Sequence, residues 1–152
     1  MKEKEINGLK IYDHGQGQQS FIFAHGFPYD HTMWQNQVES LSSEYRVVTY
    51  DIRGLGQSEP GDGQYTMDSM ADDLIQIVQE LGLNKPILCG FSMGGYLSMR
   101  TMEKAQELFG GVALVNTKAT EDDSAARRKR AELIRQVNEQ GVEEFAQGFV
   151  PN

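Results

Sequence analysis

The chain has 152 residues, 39% of them hydrophobic and 24% charged, which suits one globular domain and excludes disorder by composition. The formal net charge of −8 disfavours nucleic acid and anionic membranes as partners, because both select a basic surface. A single cysteine, Cys89, excludes an internal disulfide, and no apolar run reaches the ~18 residues of a membrane-spanning helix. The charged segment 1–6 also lacks the apolar core of a signal peptide, so we expect a soluble, cytoplasmic protein.

A β-hairpin is predicted at the start of the chain. Asn7-Gly8 separates the segments 4–6 and 9–12, and this pair favours a type I′ turn, which needs positive φ at both central residues. Four later runs are rich in branched or aromatic side chains and are bounded by turn residues, which is typical of buried parallel strands. These runs are 20–24, 46–50, 86–90 and 111–115.

Helical patterns occupy the intervals between these strands. Thr66 is the predicted N-cap of one helix, and another is expected from about Met93 to about Ala105. The apolar residues that recur at helical spacing are Trp34, Val38 and Leu41 in a first helix, and Met70, Leu74, Ile77, Val78 and Leu81 in a second. Strands that alternate with helices predict a parallel sheet with right-handed crossovers.

The character of the sequence changes in the segment 118–152. A polar stretch is followed by the basic run 127–130, which covers more than one helical turn and is expected to be solvated helix surface rather than a phosphate site. Apolar residues then recur at helical spacing, namely Leu133, Ile134 and Val137, and after Gly141 also Val142, Phe145, Ala146 and Phe149. We expect two short amphipathic helices that lie on an apolar surface.

The motif that carries chemistry is Gly90-Phe91-Ser92-Met93-Gly94, placed where a predicted strand ends and a helix begins. This context is typical of a nucleophile elbow, in which a strained turn exposes the serine hydroxyl and flanking glycines relieve crowding. The motif alone is expected by chance in roughly one such sequence in ten, and its placement between strand and helix gives it weight. Ser92 is the predicted nucleophile, and Gly90 and Gly94 are predicted to support the elbow.

A second motif, His25-Gly26-Phe27-Pro28, follows the strand 20–24. Acyl transfer to a serine needs two backbone N–H donors aimed at the developing oxyanion. The residue after the nucleophile, Met93, is expected to supply one donor and Phe27 the other, since Pro28 has no N–H. His25 and Gly26 are predicted to support this loop, with His25 as a hydrogen-bonded brace rather than the general base.

A third motif runs from Asp51 to Ser58 and reads Asp-Ile-Arg-Gly-Leu-Gly-Gln-Ser. In such a glycine-rich turn Asp51 and Arg53 can satisfy backbone groups and pair with each other. The spacing fits no phosphate-binding loop.

In this order the three motifs resemble the N-terminal half of the α/β-hydrolase superfamily, and the chain is similar to its 3-oxoadipate enol-lactonase-like and carboxylesterase branch. The resemblance implies an α/β-hydrolase fold cut after the sixth strand, with residues 1–117 as core and 118–152 as the start of a helical cap. It implies a serine hydrolase that acts on a small-molecule ester or lactone without a cofactor. Haloperoxidase- or perhydrolase-like activity and a non-catalytic binding module remain alternatives.

The resemblance also implies a triad in the chain order Ser, Asp or Glu, His. The three histidines of this sequence, His14, His25 and His31, all precede Ser92, and each is expected to be structural. The acid is unassigned; Asp122 and Asp123 are weak candidates. We therefore expect a fragment that is inactive alone and able to self-associate through an unpaired sheet edge at 111–115. The histidines and the cysteine have no metal-ligand spacing, so no metal site is predicted.

Overall fold

A six-stranded sheet is the centre of the protein, whose computed structural model describes residues 1–147. The strands lie in the order β1-β2-β4-β3-β5-β6. The pairs β1–β2 and β2–β4 are antiparallel, whereas β4, β3, β5 and β6 are mutually parallel. Their bounds are β1 Lys2–Ile6, β2 Leu9–His14, β3 Ser20–Ala24, β4 Arg46–Tyr50, β5 Ile87–Phe91 and β6 Gly111–Val115. The predicted mostly parallel sheet with flanking helices is confirmed.

The predicted hairpin forms β1 and β2. Asn7 and Gly8 have φ angles of 50° and 77°, as a type I′ turn requires, and Ile6 pairs with Leu9 on either side of them. The strand expected at 86–90 begins and ends one residue later, because Pro86 cannot donate to the ladder and Phe91 pairs with Val115.

The helices begin and end close to the predicted positions. Their bounds are α1 Gln35–Leu41, α2 Met67–Glu80, α3 Met93–Ala105, α4 Ser124–Gln140 and α5 Val142–Gln147, with 3₁₀ turns at His31–Trp34 and Gln106–Leu108. Thr66 caps α2 as predicted, accepting a hydrogen bond from the Ser69 N–H while Ser69 accepts one from the Thr66 N–H. The predicted apolar stripe of α2 is buried except for Leu81, which is partly buried.

Two hydrophobic clusters cover the faces of the central strands. Neighbouring residues of one strand enter different clusters, since successive side chains point to opposite faces of a sheet. Ile22, Val48 and Leu88 join the larger cluster with the apolar face of α2, whereas Phe23, Val47, Cys89 and Trp34 form the smaller one. Covering both faces keeps β3, β4 and β5 rigid, and the loops at their carboxyl ends carry the three motifs.

The expectation that 111–115 is a buried strand is wrong. Val112, Leu114 and Val115 are each 41–45% exposed, although β6 pairs with β5 along its whole length. The physical reason is position: β6 is the last strand of the sheet, and within residues 1–147 no strand pairs with its other edge. Exposed apolar side chains along a free edge favour pairing with another chain.

The chain divides into two compact units, Met1–Ala119 and a second one that starts at Thr120. In the second unit α4 and α5 form as predicted, and Asp123 caps α4 by accepting from the Ala126 N–H. The basic run 127–130 is exposed, as expected. No described residue of α4 or α5 is buried, and the expectation that these helices lie on an apolar surface stays a prediction.

The predicted position of Phe149 lies outside the described residues. The assignment of 118–152 to a helical cap stays a prediction. None of the helices in the described part of the chain combines the length and apolar character needed to cross a membrane.

We predict that the purified chain self-associates through β6. Leu114→Lys places a charge on the free edge and is expected to shift the chain toward monomer by weakening edge-to-edge pairing. Sedimentation velocity over a concentration series measures the change. Ile134→Lys is the matched control, because Ile134 is an exposed apolar residue of α4 and not of the sheet edge. Equal association of wild type and Leu114→Lys contradicts the prediction.

Candidate active site

Ser92 lies at the tip of the sharp turn between β5 and α3. Its φ and ψ of 51° and −111° fall outside the regions that residues with a side chain normally adopt. Its N–H donates to the Val115 carbonyl at 3.0 Å, which ties the turn to the end of β6. Ser92 is half-buried, and within residues 1–147 its hydroxyl has no hydrogen-bond partner. The turn therefore presents the hydroxyl with access from outside.

Gly90 and Gly94 make this turn possible because each touches backbone where a side chain would stand. A Cβ on Gly90 would lie 2.3 Å from the Gly94 carbonyl oxygen and 2.3 Å from Ser98 Oγ. A Cβ on Gly94 would lie 2.2 Å from the carbonyl oxygen of Ala24, at the end of β3. Both distances are far below van der Waals contact, so any larger residue forces α3 away from the sheet.

The loop after β3 passes directly beside Ser92. A Cβ on Gly26 would lie 3.2 Å from Ser92 Cβ and 2.8 Å from Phe91 Cδ1. The loop turns back on itself through a hydrogen bond of 3.0 Å from the Tyr29 N–H to the Gly26 carbonyl. The structure thus brings together the two motifs from which the sequence predicts the nucleophile and the oxyanion donors.

The two predicted donors, Phe27 and Met93, flank Ser92 from different elements. Met93 is the first residue of α3, so its N–H has no acceptor within the helix. The dipole of α3 also places partial positive charge at this end. Phe27 follows Gly26 in the adjacent loop, and its side chain is 47% exposed. Tyr29 of the same loop is also exposed, and its ring contacts that of Phe91 edge-on.

His25 is fully buried behind this loop, and both of its ring nitrogens bond to backbone groups. Nε2 accepts from the Ile52 N–H at 2.9 Å, which places the proton of the neutral ring on Nδ1, and Nδ1–H donates to the Gly26 carbonyl at 2.9 Å. Burial lowers the pKa of His25. The ring links the loop after β3 to the loop after β4, and it has no nitrogen left to take a proton from Ser92.

The expected pairing of Asp51 with Arg53 is wrong. Asp51 is fully buried, and its carboxylate accepts from the N–H of His31 at 2.8 Å and from the N–H of Gln57 at 2.9 Å. Arg53 instead forms a bidentate ion pair with Asp73 of α2, with both N–O distances at 2.7 Å. The two side chains are two residues apart along the loop and reach different elements, which the motif alone does not reveal.

The group of Asp30, His31 and Asp51 is a feature that the sequence did not reveal. Their potential ligand atoms all lie within 4.8 Å of one another. Asp51 Oδ1 is 2.8 Å from His31 Nδ1, the His31 ring stacks on Tyr12 with ring centroids 3.5 Å apart, and Asp30 accepts from Thr32. These contacts are sufficient to explain why the three side chains meet. The signal for the group is that β3 and β4 are adjacent parallel strands, whose following loops share one edge.

The weak candidates for the catalytic acid have other partners in the second unit. Asp123 caps α4, and Asp122 pairs with Arg130. Of the three histidines, His14 ends β2, and His25 and His31 bond to the groups described above. No described histidine is hydrogen-bonded to Ser92, and the site residues therefore stay predictions.

Comparison with known proteins places this geometry in context. A family model described as alpha/beta hydrolase fold matches residues 19–152. The 3-oxoadipate enol-lactonase 1 of Acinetobacter baylyi is 36% identical over 116 residues, which cover 74% of this chain and 43% of that protein. A non-heme chloroperoxidase of Kitasatospora aureofaciens is 37% identical over 92 residues, 59% of this chain and 33% of that protein.

Among solved structures, a thermophilic esterase from Thermogutta terrifontis superposes with a TM-score of 0.86 at 34% sequence identity. The match covers 97% of this chain and 57% of that one. The chain thus spans about half the length of the proteins that it matches.

We predict that Gly94→Ala destabilises the first unit by about 1–3 kcal/mol, through the clash with the Ala24 carbonyl. The direction of the change in the free energy of unfolding is informative, because alanine in a helix interior is otherwise about 1 kcal/mol more favourable than glycine. Urea unfolding followed by circular dichroism measures the difference. Gly111→Ala is the control, since its added Cβ meets nothing closer than Ile87 Cδ1 at 3.5 Å. A stabilising effect of Gly94→Ala refutes the packing described here.

We predict that His25 makes the protein less stable in mild acid. Its pKa is lowered by burial in the folded state and is about 6.5 in the unfolded state, so below pH ~6.5 the unfolded chain binds more protons. The contribution of neutral His25 to the free energy of unfolding is therefore fully present above pH ~6.5 and is lost as the pH drops through the pKa of the folded state.

His25→Gln removes this titration, so its free energy of unfolding is expected to fall less between pH 7 and pH 5 than that of the wild type. Urea unfolding at the two pH values measures the difference. All other titrating groups remain in both proteins. Equal losses in both show that the folded His25 is not held neutral.

Proposed function

We propose, because the chain belongs to the α/β-hydrolase fold family, that it is the nucleophile-bearing part of a serine hydrolase of carboxylic esters or lactones. The observation that carries the proposal is the elbow. Ser92 has a strained backbone and a half-buried hydroxyl without a hydrogen-bond partner in the described part of the chain, and the loop that contains Gly26 lies at van der Waals distance. A strand-to-helix turn without catalytic purpose needs neither the strain nor the neighbouring loop. The enol-lactonase and esterase relatives support an acyl-transfer reaction.

The reaction that fits this geometry proceeds in two steps. Ser92 Oγ attacks the carbonyl carbon of the substrate, and the Met93 and Phe27 N–H groups stabilise the negative charge on its oxygen. The tetrahedral intermediate collapses to an acyl-serine and releases the alcohol, which stays attached to the acyl group if the substrate is a lactone. Water then attacks the acyl-serine, releases the carboxylic acid and restores the hydroxyl.

A general base is the component that the described residues do not supply. It must take the proton of Ser92 in the first step and return one to the leaving alcohol. His25 has both nitrogens engaged, and His31 Nδ1 is bonded to Asp51. We therefore propose that these 152 residues alone are nearly inactive, with at most the roughly 10³–10⁴-fold acceleration that remains in a triad enzyme without its base.

A second candidate is a perhydrolase- or haloperoxidase-like activity, which the chloroperoxidase relative favours. It would use the same acyl-serine, with hydrogen peroxide in place of water as the attacking group, so that a peracid is released instead of an acid. Phe27 and Tyr29, two exposed aromatic residues of the loop beside Ser92, could contact an apolar acyl group in either reaction. A non-catalytic binding module is the remaining alternative, and the strained elbow argues against it.

The single, buried cysteine suits the reducing cytoplasm that we propose as the location.

A fluorophosphonate probe with added imidazole tests the proposed nucleophile on the chain as it exists. Free imidazole can act as the missing base, so we expect slow labelling without it and faster labelling with it, read by intact mass. Peptide mapping is expected to place the label on Ser92, and Ser92→Ala is expected to abolish it. Ser98→Ala is the matched control, because Ser98 lies one and a half turns further along α3 and is buried.

The outcomes separate the alternatives. No labelling of Ser92 at any imidazole concentration supports the binding module and contradicts the proposal. Rapid, stoichiometric labelling without imidazole keeps Ser92 as the nucleophile and shows that the chain supplies its own base. An activated ester in place of the phosphonate tests the second candidate. If its acyl group is released as a peracid when hydrogen peroxide is added, the perhydrolase-like activity is supported.

A further inference from the structure

Thr117 lies just beyond the end of β6 and forms a hydrogen bond to the elbow. This hydrogen bond has no role in the reaction steps proposed above. Its Oγ1 donates to the carbonyl oxygen of Ser92 at 2.8 Å, across 25 residues of sequence. Thr117 is half-buried and packs so closely on α3 that a Cβ on Gly95 would lie 2.5 Å from both its Oγ1 and its Cγ2. The contact is therefore set by backbone packing as well as by the hydrogen bond.

Together with Val115, Thr117 holds both peptide groups that flank the Ser92 Cα. The Val115 carbonyl accepts from the Ser92 N–H at 3.0 Å, and the Thr117 hydroxyl donates to the Ser92 carbonyl. Asn116, between them, has a φ of 45°, which reverses the direction of the chain enough for both to reach the same residue. A backbone as strained as that of Ser92 persists only when its surroundings over-determine it.

The carbonyl of Ser92 and the N–H of Met93 belong to one peptide group. Because a trans peptide is planar, its C=O and N–H point in opposite directions, and an interaction that orients one orients the other. The Ser92 carbonyl also accepts from the Gly95 N–H at 2.9 Å and from the Tyr96 N–H at 3.3 Å, both within α3. Thr117 is the partner from outside the helix, so it fixes this peptide relative to the sheet rather than to the helix alone.

We propose that Thr117 is a positioning residue: its hydroxyl orients the Ser92–Met93 peptide and so aims the Met93 N–H at the oxyanion. The inference rests on the proposed function for the use of that N–H. The orientation itself does not depend on catalysis and is measured separately. Thr117→Val keeps the shape of the side chain and removes the hydroxyl, whereas Thr117→Ser keeps the hydroxyl and removes the methyl group.

Amide hydrogen exchange of the 152-residue chain, read by mass spectrometry at residue resolution, tests the proposal. Loss of one hydrogen bond is expected to raise exchange at Ser92, Gly95 and Tyr96 roughly three- to tenfold in Thr117→Val. Thr117→Ser is expected to exchange at these residues like the wild type. The control is Thr101→Val, because the Thr101 hydroxyl donates to the Leu97 carbonyl at 2.9 Å in the same helix, two turns away from the elbow.

The proposal is overturned by unchanged exchange in Thr117→Val, by equal acceleration in Thr117→Ser, or by equal acceleration of the elbow in Thr101→Val. Uniform acceleration that includes the β1–β2 hairpin also overturns it, because the hydroxyl then supports the whole fold rather than the elbow. None of these readings uses the reactivity of Ser92. A failed labelling experiment with a positive exchange result therefore removes the function and leaves the orientation in place.

Discussion

The close approach of α3 to the sheet is the constraint on which the site depends. Hydrogen atoms in place of side chains at Gly90 and Gly94 let the first turn of the helix touch the end of β3 and the last residues of β5. That single packing arrangement forces the sharp turn at Ser92 and directs the positive end of the helix dipole at the serine. It also brings the loop that contains Gly26 and Phe27 to the other side of the hydroxyl. Nucleophile and proposed oxyanion donors are thus consequences of one contact between backbones.

Buried polar side chains keep the loops around this contact rigid. His25 bonds to one backbone group in each of two loops. The Asp51 carboxylate accepts from the N–H of His31 in the loop after β3 and from the N–H of Gln57 in its own loop. A buried donor or acceptor that loses its partner costs about 1–3 kcal/mol, so these loops cannot rearrange without a large loss of stability. The half-buried pair of Arg53 with Asp73 anchors the same loop to α2. A site whose supports are satisfied in this way is ordered before a substrate arrives.

Local patterns predicted the parts of the fold that local chemistry controls. The turn at Asn7-Gly8 needs positive φ, Thr66 offers an oxygen to the first turn of α2, and the elbow needs glycines on both sides of Ser92, and each requirement is visible within a few residues. The bonds of Asp51 to His31 and of Arg53 to Asp73 could not be predicted in this way, since each spans 20 residues of the chain and depends on which elements are neighbours. The apolar pattern of β6 did not reveal its exposure either, because an apolar run reads the same whether its outer edge is covered or open. The unpaired edge was expected from the family resemblance alone.

β6 is the strand with the fewest buried residues, and it is also the strand that bonds to the backbone of Ser92. Val115 binds the Ser92 N–H from the end of β6, and the same residue is 42% exposed at a sheet edge that is unpaired within residues 1–147. Edge strands open more readily than central ones, because fewer buried contacts and hydrogen bonds resist them. Opening of β6 releases the Val115 carbonyl from Ser92 and lets the strained backbone relax. A segment that pairs with the outer edge of β6 binds only the state in which β6 is paired with β5. By linkage, such binding also stabilises the bond between Val115 and Ser92 against opening. The geometry of Ser92 is therefore coupled to the pairing of β6.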